Sequence, residues 1–213
     1  MTTQNKIPTI INFILDRSGS MDSIRKDVIG GFNSYIKGLQ KSKEADKTLF
    51  TLTTFDSISI ETPYLAVPVK NIKKMTERDF EPRANTPLYD AVVNTVEKLS
   101  EKVEKNQPVL VVIMTDGEEN SSTEHDQNCL KDLVEQLKIK GNWTFVFLGA
   151  NQDAWGNASQ FGLSMGNTTN WESNSLGTAK AFRSLTNASA MYMSAVNDGT
   201  KNLRSVDNFF EEK

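Results

Sequence analysis

The sequence predicts a single α/β domain built on a doubly wound, mostly parallel sheet, with one antiparallel edge strand and helices on both faces. Three observations predict it. Residues 7–15 (IPTIINFIL) and 107–114 (QPVLVVIM) are apolar runs with almost no polar face, as central strands covered on both sides require. Strand-like runs alternate with segments of helical period, the pattern of parallel βαβ units. The two-residue break at Asp56-Ser57 joins the runs on either side as an antiparallel hairpin.

The elements follow in order. The first strand, 7–15, stops abruptly at Asp16-Arg17-Ser18-Gly19-Ser20. Asp22 suits the N-cap of a helix reaching about Gln40, along which Val28, Ile29, Phe32, Tyr35, Ile36 and Leu39 recur at helical spacing. Residues 48–55 and 57–67 form the second and third strands, and Pro63 and Pro68 place the third at an edge. Residues 71–85 read as irregular. Pro87 fits the first turn of a helix running to about Lys105. The strand at 107–114 is followed closely by Asp116. An amphipathic helix at 123–140, a strand at 143–148, a short helix at 153–161 and a longer one at 175–196 complete the domain, placed at 1–197. The weakly periodic residues 198–213 read as a tail that is mobile unless Phe209-Phe210 docks.

Composition narrows the function. The chain has 213 residues, which suits one sizeable domain. With 24 Lys and Arg against 27 Asp and Glu, no basic excess exists to neutralise phosphates, so a nucleic-acid partner is not expected. Cys129 is the single cysteine, which rules out an internal disulfide. The first residues lack the charged and apolar regions of a secretory signal, and no run approaches a membrane span. A cytoplasmic, reducing setting is expected, with no membrane partner.

Three segments carry the chemistry: Asp16-Arg17-Ser18-Gly19-Ser20, Asn85-Thr86-Pro87 and Thr115-Asp116-Gly117. Two follow buried strands and one precedes a helix. Loops after the carboxyl ends of central strands meet where the strand order reverses. The side chains so gathered are the carboxylates Asp16 and Asp116 and the hydroxyls Ser18, Ser20 and Thr86. All are hard oxygen donors. Such a set suits Mg²⁺, Mn²⁺ or Ca²⁺ and disfavours Zn²⁺ or Cu²⁺.

These motifs resemble the von Willebrand factor A domain and its metal-ion-dependent adhesion site, whose signature is Asp-x-Ser-x-Ser followed by a later Thr and a later Asp. All five positions are filled, by Asp16, Ser18, Ser20, Thr86 and Asp116, and the resemblance spans about residues 7–197. It implies a Rossmann-like sheet of six strands, one more than the residues themselves locate. It also implies that Ser18 and Ser20 bind the ion directly, that Thr86 does so directly or through water, and that Asp16 and Asp116 act largely through water. A partner protein would then supply an Asp or Glu as the last ligand. The absence of a secretory signal and of paired cysteines points to the intracellular, bacterial or phage-like members, which work beside AAA⁺ ATPases or in multiprotein assemblies.

Blander readings stand beside these. Asp16 with Ser18 and Ser20 can form a turn and helix cap, and Thr86 can cap the helix at Pro87. Arg17 points away from the ion, toward a partner or solvent. Glu118 and Glu119 can shape the binding face or recruit a second ion, but read first as solvated charge. Asp22 and Asp90 read as helix-associated acids. Cys129 reads as a small buried side chain, Trp143, Trp155 and Trp171 as packing residues, and residues 149–153 as a further part of the binding face. An Mg²⁺-dependent hydrolase of the phosphatase kind is the alternative function. It would need a second Asp where Ser18 stands, or a Gly-rich phosphate loop with Lys, and neither is present. His125, the sole histidine, has no nucleophile at motif distance. Because loop ligands face solvent, Asp16→Ala is expected to stay folded.

Overall fold

The computed structural model describes residues 7–150, 154–197 and 206–210. Six strands form one sheet: β1 (Thr9–Asp16), β2 (Thr48–Phe55), β3 (Ile60–Pro68), β4 (Val109–Thr115), β5 (Trp143–Ala150) and β6 (Thr168–Trp171). Among the described residues five α-helices surround it: α1 (Arg25–Lys41), α2 (Leu88–Ser100), α3 (Gln127–Ile139), α4 (Ala154–Gln160) and α5 (Ser175–Asn197). The strand order is β3-β2-β1-β4-β5-β6. Among the described residues only the β2–β3 pairing is antiparallel, so β3 is the antiparallel edge strand that the Asp56-Ser57 break and its prolines predict. The order reverses between β1 and β4, whose registers pair Leu15 with Met114. Asp16 and Thr115 therefore end side by side at the switch point.

Period-two alternation splits the core between the two faces. Ile11, Phe13 and Leu15 of β1 pack on α1 and α5, while Ile10 and Ile14 pack on α2 and α3. Phe13 centres the first layer, with its ring 5.7 Å from Phe32 and 6.3 Å from Phe182, the latter stacked. Gly31 of α1 lets α5 come close, since a methyl group there would stand 2.1 Å from Phe182 Cδ2.

Several boundaries differ from expectation. A 3₁₀ turn, Gly19–Ile24, precedes α1, so Asp22 lies inside that turn and caps nothing. The α2 helix stops at Ser100, ahead of Lys105, and α3 starts at Gln127 with Asp126 as its cap, Oδ1 accepting from Cys129 N at 2.9 Å. The sixth strand is the short segment Thr168–Trp171, too brief and polar to stand out. Cys129 is exposed, not buried. Its neighbour Leu130 carries the buried stripe instead. Trp143 and Trp171 pack inside, while the side chain of Trp155 lies outside the described residues. Of the tail, Val206 and Phe209 are buried against the first core layer, Phe209 with its ring 6.1 Å from that of Tyr192. Residues 198–205 and 211–213 lie outside the described residues. Among the described residues no helix is long and apolar enough to cross a membrane.

Candidate metal centre

All five signature residues come together at the β1/β4 switch point. Asp16 closes β1 and is fully buried, with Ser18 and Thr86 nearly so. Ser20 is exposed and Asp116 half-buried, so the cluster opens to solvent on their side. Ser18 N donates to Asp16 Oδ1 at 2.7 Å, and Thr115 Oγ1 donates to Asp16 Oδ2 at 2.6 Å. Both carboxylate oxygens are thus engaged, and the first loop is wound tightly over the strand end. Ser18 Oγ lies 3.1 Å from Ser20 Oγ, which donates to Asp116 Oδ1 at 2.6 Å.

Gly117 is the floor of a small cradle. A methyl group placed on it would stand 3.2 Å from Thr86 Oγ1, 3.5 Å from Ser20 Oγ and 3.9 Å from Ser18 Oγ. Three hydroxyls from two distant segments thus bracket one point, beside the two carboxylates. Thr86 is held there by a reciprocal pair: its N–H donates to Asn120 Oδ1 at 2.9 Å and its carbonyl accepts from Asn120 N at 3.1 Å. The residue at the cap position of α2 is Pro87, so Thr86 is free of that duty.

Burial governs the charges. It pushes the Asp16 carboxyl up to about 6, against the hydrogen bonds from Thr115 and Ser18, with Asp116 raising it further. Burial also raises Asp116, although Ser20 and Ser173 donate to it. Two carboxyls crowded in this way, next to neutral hydroxyls, fit a hard cation that would favour their ionised forms. Ser173, from the turn after β6, was not legible in the sequence because that strand gave no signal.

Arg17 is neither solvated nor free to reach a partner. Its side chain is buried, with Nε 2.9 Å from Asp56 Oδ2 and a guanidinium N–H donating to Ser59 Oγ at 2.8 Å. Burial pushes the Asp56 carboxyl up, but backbone N–H groups of Ile58 and Ser59, with Arg83 and Arg17, outweigh it and hold it below its ordinary value. This ion pair ties the first loop to the β2–β3 turn.

The acids near the third loop are fasteners. Glu119 accepts from the backbone N–H groups of Tyr89, Ser121 and Ser122. Asp90 accepts from those of Thr123, Glu124 and His125. Asp90, Glu124 and His125 bring one ligand atom each within 4.8 Å of one another, a second possible metal group. Its donors are largely committed: His125 Nε2 lies 3.0 Å from Asn94 Oδ1, and Asn94 Nδ2 donates to Glu124 at 2.8 Å. Of residues 149–153, Gly149 and Ala150 end β5 and the others lie outside the described residues.

Sequence comparison finds no matching family model and no matching characterised protein. Structural comparison does find relatives of the fold. The pilus adhesin SpaC of Lactobacillus rhamnosus GG, in an open conformation, matches with TM-score 0.67 and 13% identity over 89% of this chain and 30% of that one. The VWA domain of SpRpn10 matches with TM-score 0.60 and 14% identity over 84% of this chain and 95% of that one. Manganese-loaded TRAP of Plasmodium vivax matches with TM-score 0.55 and 21% identity over 83% and 73%. Proximal thread matrix protein 1 of the mussel byssus is a further match, at TM-score 0.63 and 15% identity, and this chain spans 46% of its length. At these identities the likeness concerns the backbone, and on that ground the chain has the fold of a von Willebrand factor A domain.

Proposed function

We propose that this chain is a divalent-metal-dependent protein-binding module. The observation that carries the reading is the cradle over Gly117, where the Thr86, Ser20 and Ser18 hydroxyls stand 3.2 to 3.9 Å from one point. The hydroxyls of Ser18, Ser20 and Thr86 would hold Mg²⁺, or Mn²⁺ or Ca²⁺ in its place, and Asp16 and Asp116 would orient the hydroxyls and hold water. Neutral hydroxyls leave most of the ion's charge unquenched, so a bound ion supplies an attraction for an outside carboxylate. The opening at Ser20 and Asp116 is where an Asp or Glu of a partner protein would enter. Fold relatives that include an adhesin, a VWA domain and a manganese-loaded protein support a binding role over hydrolysis. We place the module in the cytoplasm, within a multiprotein assembly such as one built around an AAA⁺ ATPase.

The chain's own residues set the conditions for binding. Thr115 and the Ser18 N–H fix Asp16 under the first loop, and Asn120 fixes Thr86. Asp16 is fully buried and accepts two hydrogen bonds, so Asp16→Ala would strand both donors and is a poor test. Asp16→Asn keeps the shape. Capture of partners from the native host in Mg²⁺, in excess chelator, and with Asp16→Asn tests the reading. Partners retained in Mg²⁺ alone, and by the wild type alone, are expected. Equal capture under all three conditions contradicts it.

A further inference from the structure

A groove of about 530 Å³ runs beside the metal cradle, between the β2–β3 edge of the sheet and residues 72–79. Arg17, which stands between Asp16 and Ser18 in the chain, lines its upper end, and Glu61 and Thr54 lie one register step below Phe55. The groove therefore starts at the level of the cradle and descends the sheet. Its floor is apolar, from Phe32, Leu52 and Met75, and its rim is charged.

One wall is preformed. Asn33 Nδ2 donates to Met75 O at 2.9 Å, and Met75 N donates to Asn33 Oδ1 at 2.8 Å, clamping the segment to α1. Arg25 Nε fastens it again at Phe80 O, at 2.8 Å. The charges on the rim are unevenly engaged. Glu61 already pairs with Arg17 and accepts from Ser59, and Asp79 accepts from Thr76. Lys73, Lys74 and Arg78 are exposed and have no ion pair or side-chain hydrogen bond among the described residues. A chain of net charge −3 has thus gathered three uncommitted cations along one apolar trough.

We propose that this groove docks an acidic segment of the partner whose carboxylate reaches the ion. The proposal rests on the ion-dependent reading above and adds the partner's chemistry: acidic side chains for Lys73, Lys74 and Arg78, with an apolar side chain on the Met75 floor. The segment docks by side chains and does not add a strand to the sheet. Pro63 and Pro68 interrupt β3, its register slips twice against β2, and Ala66 has φ 51, so its outer edge is a poor template for pairing.

The test is a selection of random short peptides, displayed on phage, against the Mg²⁺-loaded chain. Soluble copies of the winners are then titrated by fluorescence anisotropy in Mg²⁺ and in chelator. The variants are Lys73→Glu/Lys74→Glu/Arg78→Glu and its milder Gln counterpart, with thermal melts to show that both fold. Enriched peptides are expected to combine clustered Asp and Glu with an apolar residue. Their affinity should fall about tenfold or more on charge reversal, less on neutralisation, and steeply with salt. No enrichment, enrichment of non-acidic peptides, or unchanged affinity in the reversed variant overturns the proposal. So does tighter binding of a labelled single-stranded oligonucleotide, or a dimer in sedimentation that charge reversal dissolves. If chelator abolishes binding and charge reversal does not, the groove fails and the ion reading stands. If charge reversal abolishes it and chelator does not, the groove stands and the ion reading fails.

Discussion

In the proposed reading, Gly117 sets whether three hydroxyls can share an ion. Its backbone is not in the left-handed region, so alanine is accessible there, but the added methyl would occupy the point that Thr86, Ser20 and Ser18 bracket. Gly117→Ala is expected to lose the Mg²⁺-induced rise in melting temperature while changing the apo unfolding free energy by only about 1 kcal/mol. Paired melts with and without Mg²⁺ check this, and an undiminished Mg²⁺ shift would count against it. Asp56 is the residue-scale point of stability, because its removal leaves the buried Arg17 with only the exposed Glu61 as counterion. Asp56→Ala should cost about 3 kcal/mol in urea unfolding. The pH dependence has a definite sign. The fold holds the Asp56 carboxyl below its ordinary value, so its contribution is present above the unfolded-state pKa and is lost as pH falls through the folded one. Wild-type stability relative to Asp56→Asn should therefore shrink below about pH 4. Arg17 also shows where residue-level reading stops. Alternation says it points away from its ligand neighbours, but only the folded hairpin shows that it points at Asp56, 39 residues on.

At the scale of elements, α1 and α5 meet through Gly31, whose missing side chain leaves room for Phe182, itself stacked on Phe13. Gly31→Ala should destabilise by about 1–3 kcal/mol through overpacking, read by urea unfolding, and a neutral result would mean that α5 yields freely. The central strands were the most legible elements, since β1 and β4 carry apolar side chains on both faces and end at the residues of the cradle. The edge strand was legible through Pro63 and Pro68. The beginnings of α1 and α3 were not, because the 3₁₀ turn before α1 and the loop before α3 are shaped by distant acceptors. Asp90 and Glu119 hold the latter loop from 30 or more residues away or by turning back on their own segment, and no local pattern encodes such contacts. The sixth strand was hidden by its brevity, and Ser173 with it.

Across the whole molecule, the topology places the signature residues. Reversal of strand order between β1 and β4 leaves two loop ends uncovered side by side, and the loop before α2 closes over them. This much of the site followed from the order of motifs along the chain, whereas the second group at Asp90, Glu124 and His125 joins α2 to the loop before α3, a contact no motif announces. An ion that binds the folded chain and not the unfolded one raises stability by mass action, so the melting temperature should climb with Mg²⁺ concentration and return in chelator. The two groups give the account its sharpest test, which is anomalous diffraction from crystals grown in Mn²⁺. One manganese peak bonded to Ser18 and Ser20 hydroxyls, beside Thr86 and between Asp16 and Asp116, is the predicted result. A peak at His125 with none at the serines, or no bound manganese at all, would contradict it.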